Sequence, residues 1–181
     1  MLKIYLTLII FLIELNLSFT KDNKDKILII IRHAEKISDD YTDLSPIGKS
    51  RAECLPYFFF NPSINYIPSK LYANKRNMNT TRSYDTIFPL SKILNLEIEE
   101  FEKERDEQIE NFVNNKLLKD EHDIILICSS HGVIPKITKL LGHEIIVNEE
   151  DFDKYFIWKN GVYESEGNQS DYIEKCIEEH N

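Results

Sequence analysis

The sequence predicts an α/β fold: a single three-layer sandwich in which a mostly parallel sheet is covered by helices and closed by a C-terminal hairpin. Three observations predict it. Ile27-Leu28-Ile29-Ile30-Ile31 and Ile124-Ile125-Leu126-Ile127-Cys128 are apolar at every position, which marks strands covered on both faces. Segments between and after them carry apolar residues at helical spacing, as in Ile109, Phe112, Val113 and Leu117. Near the end, Lys159-Asn160-Gly161 separates the β-prone runs Tyr155–Trp158 and Val162-Tyr163, and an Asn-Gly pair in that setting is a strong hairpin signal.

The chain opens with Lys3, an apolar run from Ile4 to Phe19, and the charged stretch from Lys21 to Lys26. This reads as a signal peptide over 1–20 and a charged spacer over 21–26, with a domain over 27–165 and a tail over 166–181. A retained membrane anchor is the alternative, because the run nears bilayer-spanning length and no A-x-A site follows; Glu14 within it favours cleavage. The expected location is therefore the secretory pathway, secreted or luminal, or else membrane-anchored.

After the first strand, Ser45-Pro46 supplies a helix N-cap and a proline at the first helical position, so a helix is expected from Pro46 to about Phe58. Asn61-Pro62-Ser63 ends it. A short strand at Lys70–Ala73 leads into a polar loop, Asn74–Thr81, and then a helix over Arg82–Leu94 with Ile87, Leu90 and Leu94 on one face. Glu97–Phe101 suits a short strand and Arg105–Lys119 an amphipathic helix. The strand Ile124–Cys128 stops at Ser129-Ser130-His131-Gly132, and a helix over Val133–Leu141 is ended by Gly142 at the C′ position.

At 181 residues and 42% hydrophobic content the chain suits one domain with an ordinary core. The net charge of −9 is unchanged by removing 1–20, where Lys3 and Glu14 cancel, and an acidic surface argues against nucleic acid as a partner. Three cysteines, Cys54, Cys128 and Cys176, cannot all pair, so no disulfide framework is expected; Cys128, in an apolar strand, reads as a buried small hydrophobe. Asn79-Thr80-Thr81 and Asn168-Gln169-Ser170 match the glycosylation acceptor pattern. Oligomeric state is not legible.

In sheets of this kind ligands bind beyond the carboxyl ends of the strands. His33 follows the first strand and His131 the later one, with Arg32 beside the first histidine. Arg82 opens a helix, where guanidinium and helix dipole act on the same anion. Two imidazoles and two guanidiniums at one sheet edge describe a phosphoryl site: a neutral imidazole is a competent nucleophile toward phosphorus, and flanking cations stabilise the transferring oxygens. His122, His143 and His180 lack such settings and read as surface or structural. The histidines and cysteines are not at ligand spacing, so no metal site is expected.

Ile30-Ile31-Arg32-His33-Ala34-Glu35-Lys36 followed by Asp43-Leu44-Ser45-Pro46-Ile47-Gly48-Lys49-Ser50-Arg51-Ala52 resembles the opening signature of the histidine phosphatase (phosphoglycerate-mutase-like) superfamily. Arg82-Ser83-Tyr84-Asp85-Thr86 with Pro89-Leu90 is similar to its second-arginine helix, and Ile127–Gly132 to its second-histidine segment. The resemblance spans about Ile27 to Trp158. It implies a cofactor-independent phosphatase that hydrolyses a phosphate monoester or phosphoramidate of a small substrate through a phosphohistidine at His33. Arg32, Arg82 and His131 would bind the phosphate, and Glu35 would orient the backbone or Arg32. Ser45 and Gly48 read as the cap and close-packing position of the first helix. Lys36 and Arg76 stand as rim charges or solvated side chains. Where the acid-phosphatase branch has an aspartate after the second histidine, this chain has Gly132, and it lacks the length for mutase insertions. The proton donor must then lie elsewhere, with Asp106 in Glu102–Glu107 the preferred candidate. The absent donor keeps open an alternative, a non-catalytic phosphate-binding relative.

Overall fold

The computed structural model describes residues 25–38 and 40–180, with the backbone alone at His180. The expected signal peptide, the spacer as far as Lys24, Asp39 and the His180 side chain lie outside the described residues. The elements are β1 (Ile27–Arg32), α1 (Pro46–Phe60), β2 (Lys70–Asn74), α2 (Arg82–Leu94), β3 (Ile98–Phe101), α3 (Asp106–Asn115), β4 (Ile124–Ser129), α4 (Ile134–Leu140), β5 (Lys154–Lys159), β6 (Val162–Asn168) and α5 (Ser170–His180).

The strands form one sheet in the order β3-β2-β4-β1-β5-β6. β1, β4, β2 and β3 run parallel, while β5 pairs antiparallel with β1 and β6 with β5. The two uniformly apolar segments are the adjacent central strands, with Ile29 opposite Leu126. Alternation along β1 explains why both need apolar residues throughout. Ile27, Ile29 and Ile31 join Phe58 and Phe59 of α1, Ile87 and Leu90 of α2 and Ile173 and Ile177 of α5. Leu28 and Ile30 meet Phe112 and Val113 of α3 and Ile134 and Ile137 of α4 on the other face. Each such side chain, taken fully from water, contributes about 1.5–3 kcal/mol.

Local chemistry ends the elements where expected. Ser45 Oγ accepts a hydrogen bond from the Gly48 amide at 3.1 Å and Pro46 opens α1. Gly142 (φ 87°) follows α4, and Asn160 and Gly161 (φ 52° and 80°) turn the β5–β6 hairpin with the positive φ angles that a tight turn requires. α1 runs two residues past its expected end, carried by the buried Phe58 and Phe59. The helix expected over Arg105–Lys119 breaks at Lys116, and its last turn, Leu117–Lys119, is 3-10.

Two expectations are corrected. Cys54 of α1 and Cys176 of α5 form a disulfide across 122 residues of chain, leaving Cys128 as the odd, buried thiol. An odd count forbids complete pairing but not a single bond, and α5 carries Cys176 to Cys54 by sinking Ile173 and Ile177 into the same core cluster. Within the expected tail, residues 166–168 end β6 and Ser170–His180 form α5. Among the described residues no helix is long and apolar enough to cross a membrane.

Candidate active site

The parallel strands β1, β4 and β2 deliver their carboxyl ends to one edge of the sheet. Arg32 closes β1 opposite Ser129 of β4, and the next residue, His33, donates its amide to the Ser129 carbonyl at 2.9 Å. Asn74 closes β2, and its Oδ1 accepts from Ser83 Oγ (3.2 Å), Ser129 Oγ (3.0 Å) and the Ser130 amide (3.0 Å). One amide oxygen thus ties the start of α2 to the segment that carries His131. Thr86 makes the matching tie on the other side, its Oγ1 donating to the Arg82 carbonyl (2.8 Å) and accepting from the Ala34 amide (2.9 Å).

His33 is 5% exposed, and its Nδ1 lies 2.8 Å from the carbonyl oxygen of Ala34. A carbonyl can only accept, so Nδ1 carries the hydrogen and Nε2 keeps its lone pair. Burial, reinforced by the positive charges of Arg32, Arg82 and His131 and opposed by the Ala34 hydrogen bond, pushes the imidazole pKa down to about 3. The ring is neutral throughout the physiological range.

Arg32 is 1% exposed. Its Nη1 donates to the carbonyls of Asn148 (2.8 Å) and Glu149 (2.5 Å), and its guanidinium carbon sits 3.8 Å from the centre of the Phe152 ring, which also lies 5.9 Å from the His33 ring. The loop between α4 and β5 therefore roofs Arg32 with backbone oxygens and an aromatic face. Nε and Nη2 are buried with no hydrogen-bond partner, an unmet cost of about 1–3 kcal/mol for each neutral group and more for a charged one, which an oxyanion would relieve. Burial draws the pKa of Arg32 down to about 10, against the opposing charges of Glu149 and Asp151, and the group stays protonated.

Arg82, the first residue of α2, is 7% exposed and near enough to depress both Arg32 and His33 by its charge. His131 acts on His33 in the same way, and its half-buried ring has Nε2 3.8 Å from Glu149 Oε1. Arg32, His33, Arg82 and His131 thus come together at the carboxyl edge of the sheet. Asp106 is not brought into this group: it opens α3 with an exposed side chain whose carboxylate holds Lys136 of α4 at 2.6 Å.

Glu35 orients Arg51 rather than Arg32, and Arg51 also holds Asp153 at 2.8 Å. A Cβ on Gly48 would overlap the Glu35 carbonyl oxygen, which is why glycine stands there. Arg76 is engaged by Glu100 (2.9 Å) and by the Tyr84 ring (3.6 Å), and Lys36 forms a backbone bridge with Leu44. His122 pairs with Asp120 at 2.6 Å and His143 stacks on Tyr163 at 4.1 Å. Burial raises the Cys128 thiol far above its ordinary range, so it is inert packing. Sequence reasoning missed Asn74, Thr86, Arg51, Glu149, Phe152 and Asp153 as neighbours of the site. Asn74 carried a usable signal, since it too ends a parallel strand; the residues of 148–153 carried none.

The chain has the fold of the histidine phosphatase (phosphoglycerate-mutase-like) superfamily. Phosphoglycerate mutase from Bacillus anthracis str. Sterne matches with a TM-score of 0.55 at 14% identity, covering 86% of this chain and 98% of that one. A protein of Escherichia coli str. K-12 substr. MG1655 assigned as an alpha-ribazole-5'-P phosphatase matches at 0.56 and 13% identity, over 77% of this chain and 93% of that one. A third, from Agrobacterium tumefaciens and assigned as the phosphohistidine phosphatase SixA, matches at 0.50 and 11% identity, over 78% and 97%. No protein-family model matches the sequence, and no curated protein matches it.

Proposed function

We propose that this chain is a phosphatase that hydrolyses a small phosphate monoester or phosphoramidate through a phosphohistidine at His33. The observation that carries the reading is the neutral His33 imidazole, with its hydrogen fixed on Nδ1, enclosed by buried cations. Nε2 would attack phosphorus as the bond to the leaving group breaks. Arg32 would meet the phosphoryl oxygens with its two unpartnered nitrogens, and Arg82 and His131 would supply further positive charge. Water would then attack phosphorus and break the P–N bond, releasing inorganic phosphate and restoring the imidazole. The fold likeness to the protein assigned as an alpha-ribazole-5'-P phosphatase and to the one assigned as a phosphohistidine phosphatase supports this reaction class. The Cys54–Cys176 bond supports a further proposal, that the chain resides in an oxidising compartment such as the secretory lumen or the cell exterior.

The test is hydrolysis of a panel of phosphate esters and a phosphohistidine peptide by the wild type, His33→Ala and Arg32→Ala. Turnover that vanishes in His33→Ala and weakens in Arg32→Ala is the expected result. Turnover that survives His33→Ala overturns the mechanism.

A further inference from the structure

We propose that Glu149, in the loop between α4 and β5, is the proton donor of this site; the assignment rests on the phosphatase reading above. Its main-chain carbonyl accepts from Arg32 Nη1 at 2.5 Å, which fixes residue 149 against the phosphate-binding guanidinium. Its carboxylate reaches the other wall, with Oε1 3.8 Å from His131 Nε2. The side chain is 76% exposed, so it lies on the solvent side of this cluster, the side from which a leaving group would depart. An acid is needed there, because phosphoryl transfer from an alkyl ester expels an alkoxide unless a proton is supplied.

Several other carboxylates around the site are engaged elsewhere. Asp151 Oδ2 accepts from the Asn148 amide (3.3 Å) and Nδ2 (2.9 Å) and so shapes the loop. Asp153 holds Arg51 and the Ser170 amide, each at 2.8 Å. Glu35 is clamped on Arg51, and Asp106 on Lys136. Glu102 pairs with Lys75, and Glu104 accepts from Asn77 Nδ2 at 3.2 Å. The Glu149 carboxylate, by contrast, faces His131.

The step balances. As the His33 Nε2–P bond forms and the P–O bond of the ester breaks, the departing oxygen takes the proton of the Glu149 carboxyl and leaves as the alcohol. The resulting carboxylate then accepts a proton from the water whose oxygen bonds to phosphorus as P–Nε2 breaks.

The experiment compares the wild type with Glu149→Gln, and with Glu150→Gln as a neighbouring control, on an alkyl monoester (glycerol phosphate) and on p-nitrophenyl phosphate. Glu149→Gln is expected to lower kcat on the alkyl ester by about 10²–10⁴ and on the activated aryl ester by less than about tenfold. Glu150→Gln should leave the alkyl-to-aryl ratio as in the wild type. Inorganic phosphate should still bind Glu149→Gln, which separates a lost proton from a lost fold. An unchanged ratio in Glu149→Gln, or the same loss in both variants, overturns the assignment while labelling of His33 by phosphoramidate keeps the phosphatase reading. Failure of the wild type to be labelled or to turn over either ester overturns both.

Discussion

The carboxylate of Glu35 grips Arg51 at two points, with Oε1 2.7 Å from Nη2 and both oxygens 3.0 Å from Nε. Nη1 of the same guanidinium reaches Asp153 at 2.8 Å. Glu35 lies two residues past His33, and Asp153 one residue past Phe152, whose ring roofs Arg32. A single arginine on α1 therefore fastens the segment after His33 and the roof over Arg32 to the same helix.

Arg51→Met should destabilise the protein by about 3–5 kcal/mol, because it strands two carboxylates in a largely buried setting. Urea unfolding monitored by circular dichroism measures this. Inorganic phosphate should also bind more weakly to the folded variant, since Arg32 loses its fixed roof.

Gly48→Ala should cost about 1–3 kcal/mol, as expected for overpacking, and should also lower kcat, because the new methyl group meets the Glu35 carbonyl and displaces the segment after His33. Thermal unfolding and ester hydrolysis read the two effects separately.

Cys176→Ser should lower stability by about 2–5 kcal/mol, since the bond closes a long loop in the unfolded chain. Denaturant midpoints with and without a reductant should show the same shift for the wild type and no shift for the variant. Arg32, His33, Arg82 and His131 lie outside α1 and α5, so hydrolysis at 25 °C should persist in Cys176→Ser.

How far the sequence led depended on the range of each signal. The central strands, the hairpin and the capped start of α1 were legible because uniform apolarity, Asn160-Gly161 and Ser45-Pro46 act within a few residues. Arg32, His33, Arg82 and His131 could be selected because the sheet edge that gathers them follows from the strand pattern. The Cys54–Cys176 bond and the helix that brings it about were not legible: an odd cysteine count hides one pair, and the amphipathic residues 170–180 gave no account of what they would cover. Glu149 and Phe152 were missed because a loop's path over a site leaves no periodic trace.

Asn74→Ala should reduce activity more than a distant surface change of similar size, and should cost about 1–3 kcal/mol for a polar group left unpaired, since Ser83, Ser129 and the Ser130 amide share its oxygen. Urea unfolding together with kcat and KM on one ester measures both.

The pH dependence of stability tests the neutral state of His33. Its folded pKa of about 3 lies below the ordinary value of 6.5, so the unfolded chain binds the extra proton between those values. The contribution of the neutral buried ring is complete above pH 6.5 and is lost as pH falls toward 3. The stability of the wild type should therefore decline more steeply across that window than that of His33→Ala, as followed by denaturant midpoints at a series of pH values.

The central claim is that His33 Nε2 takes the phosphoryl group, and trapping the phosphoenzyme tests it most directly. The wild type, quenched in base during turnover of labelled phosphoramidate, should carry label that is stable to alkali, released by acid and located at His33 by peptide mapping, with none on His33→Ala. Phosphate binding that depends on Arg32 and Arg82, with no label and no turnover in the wild type, would contradict the claim and leave a phosphate-binding protein without catalysis.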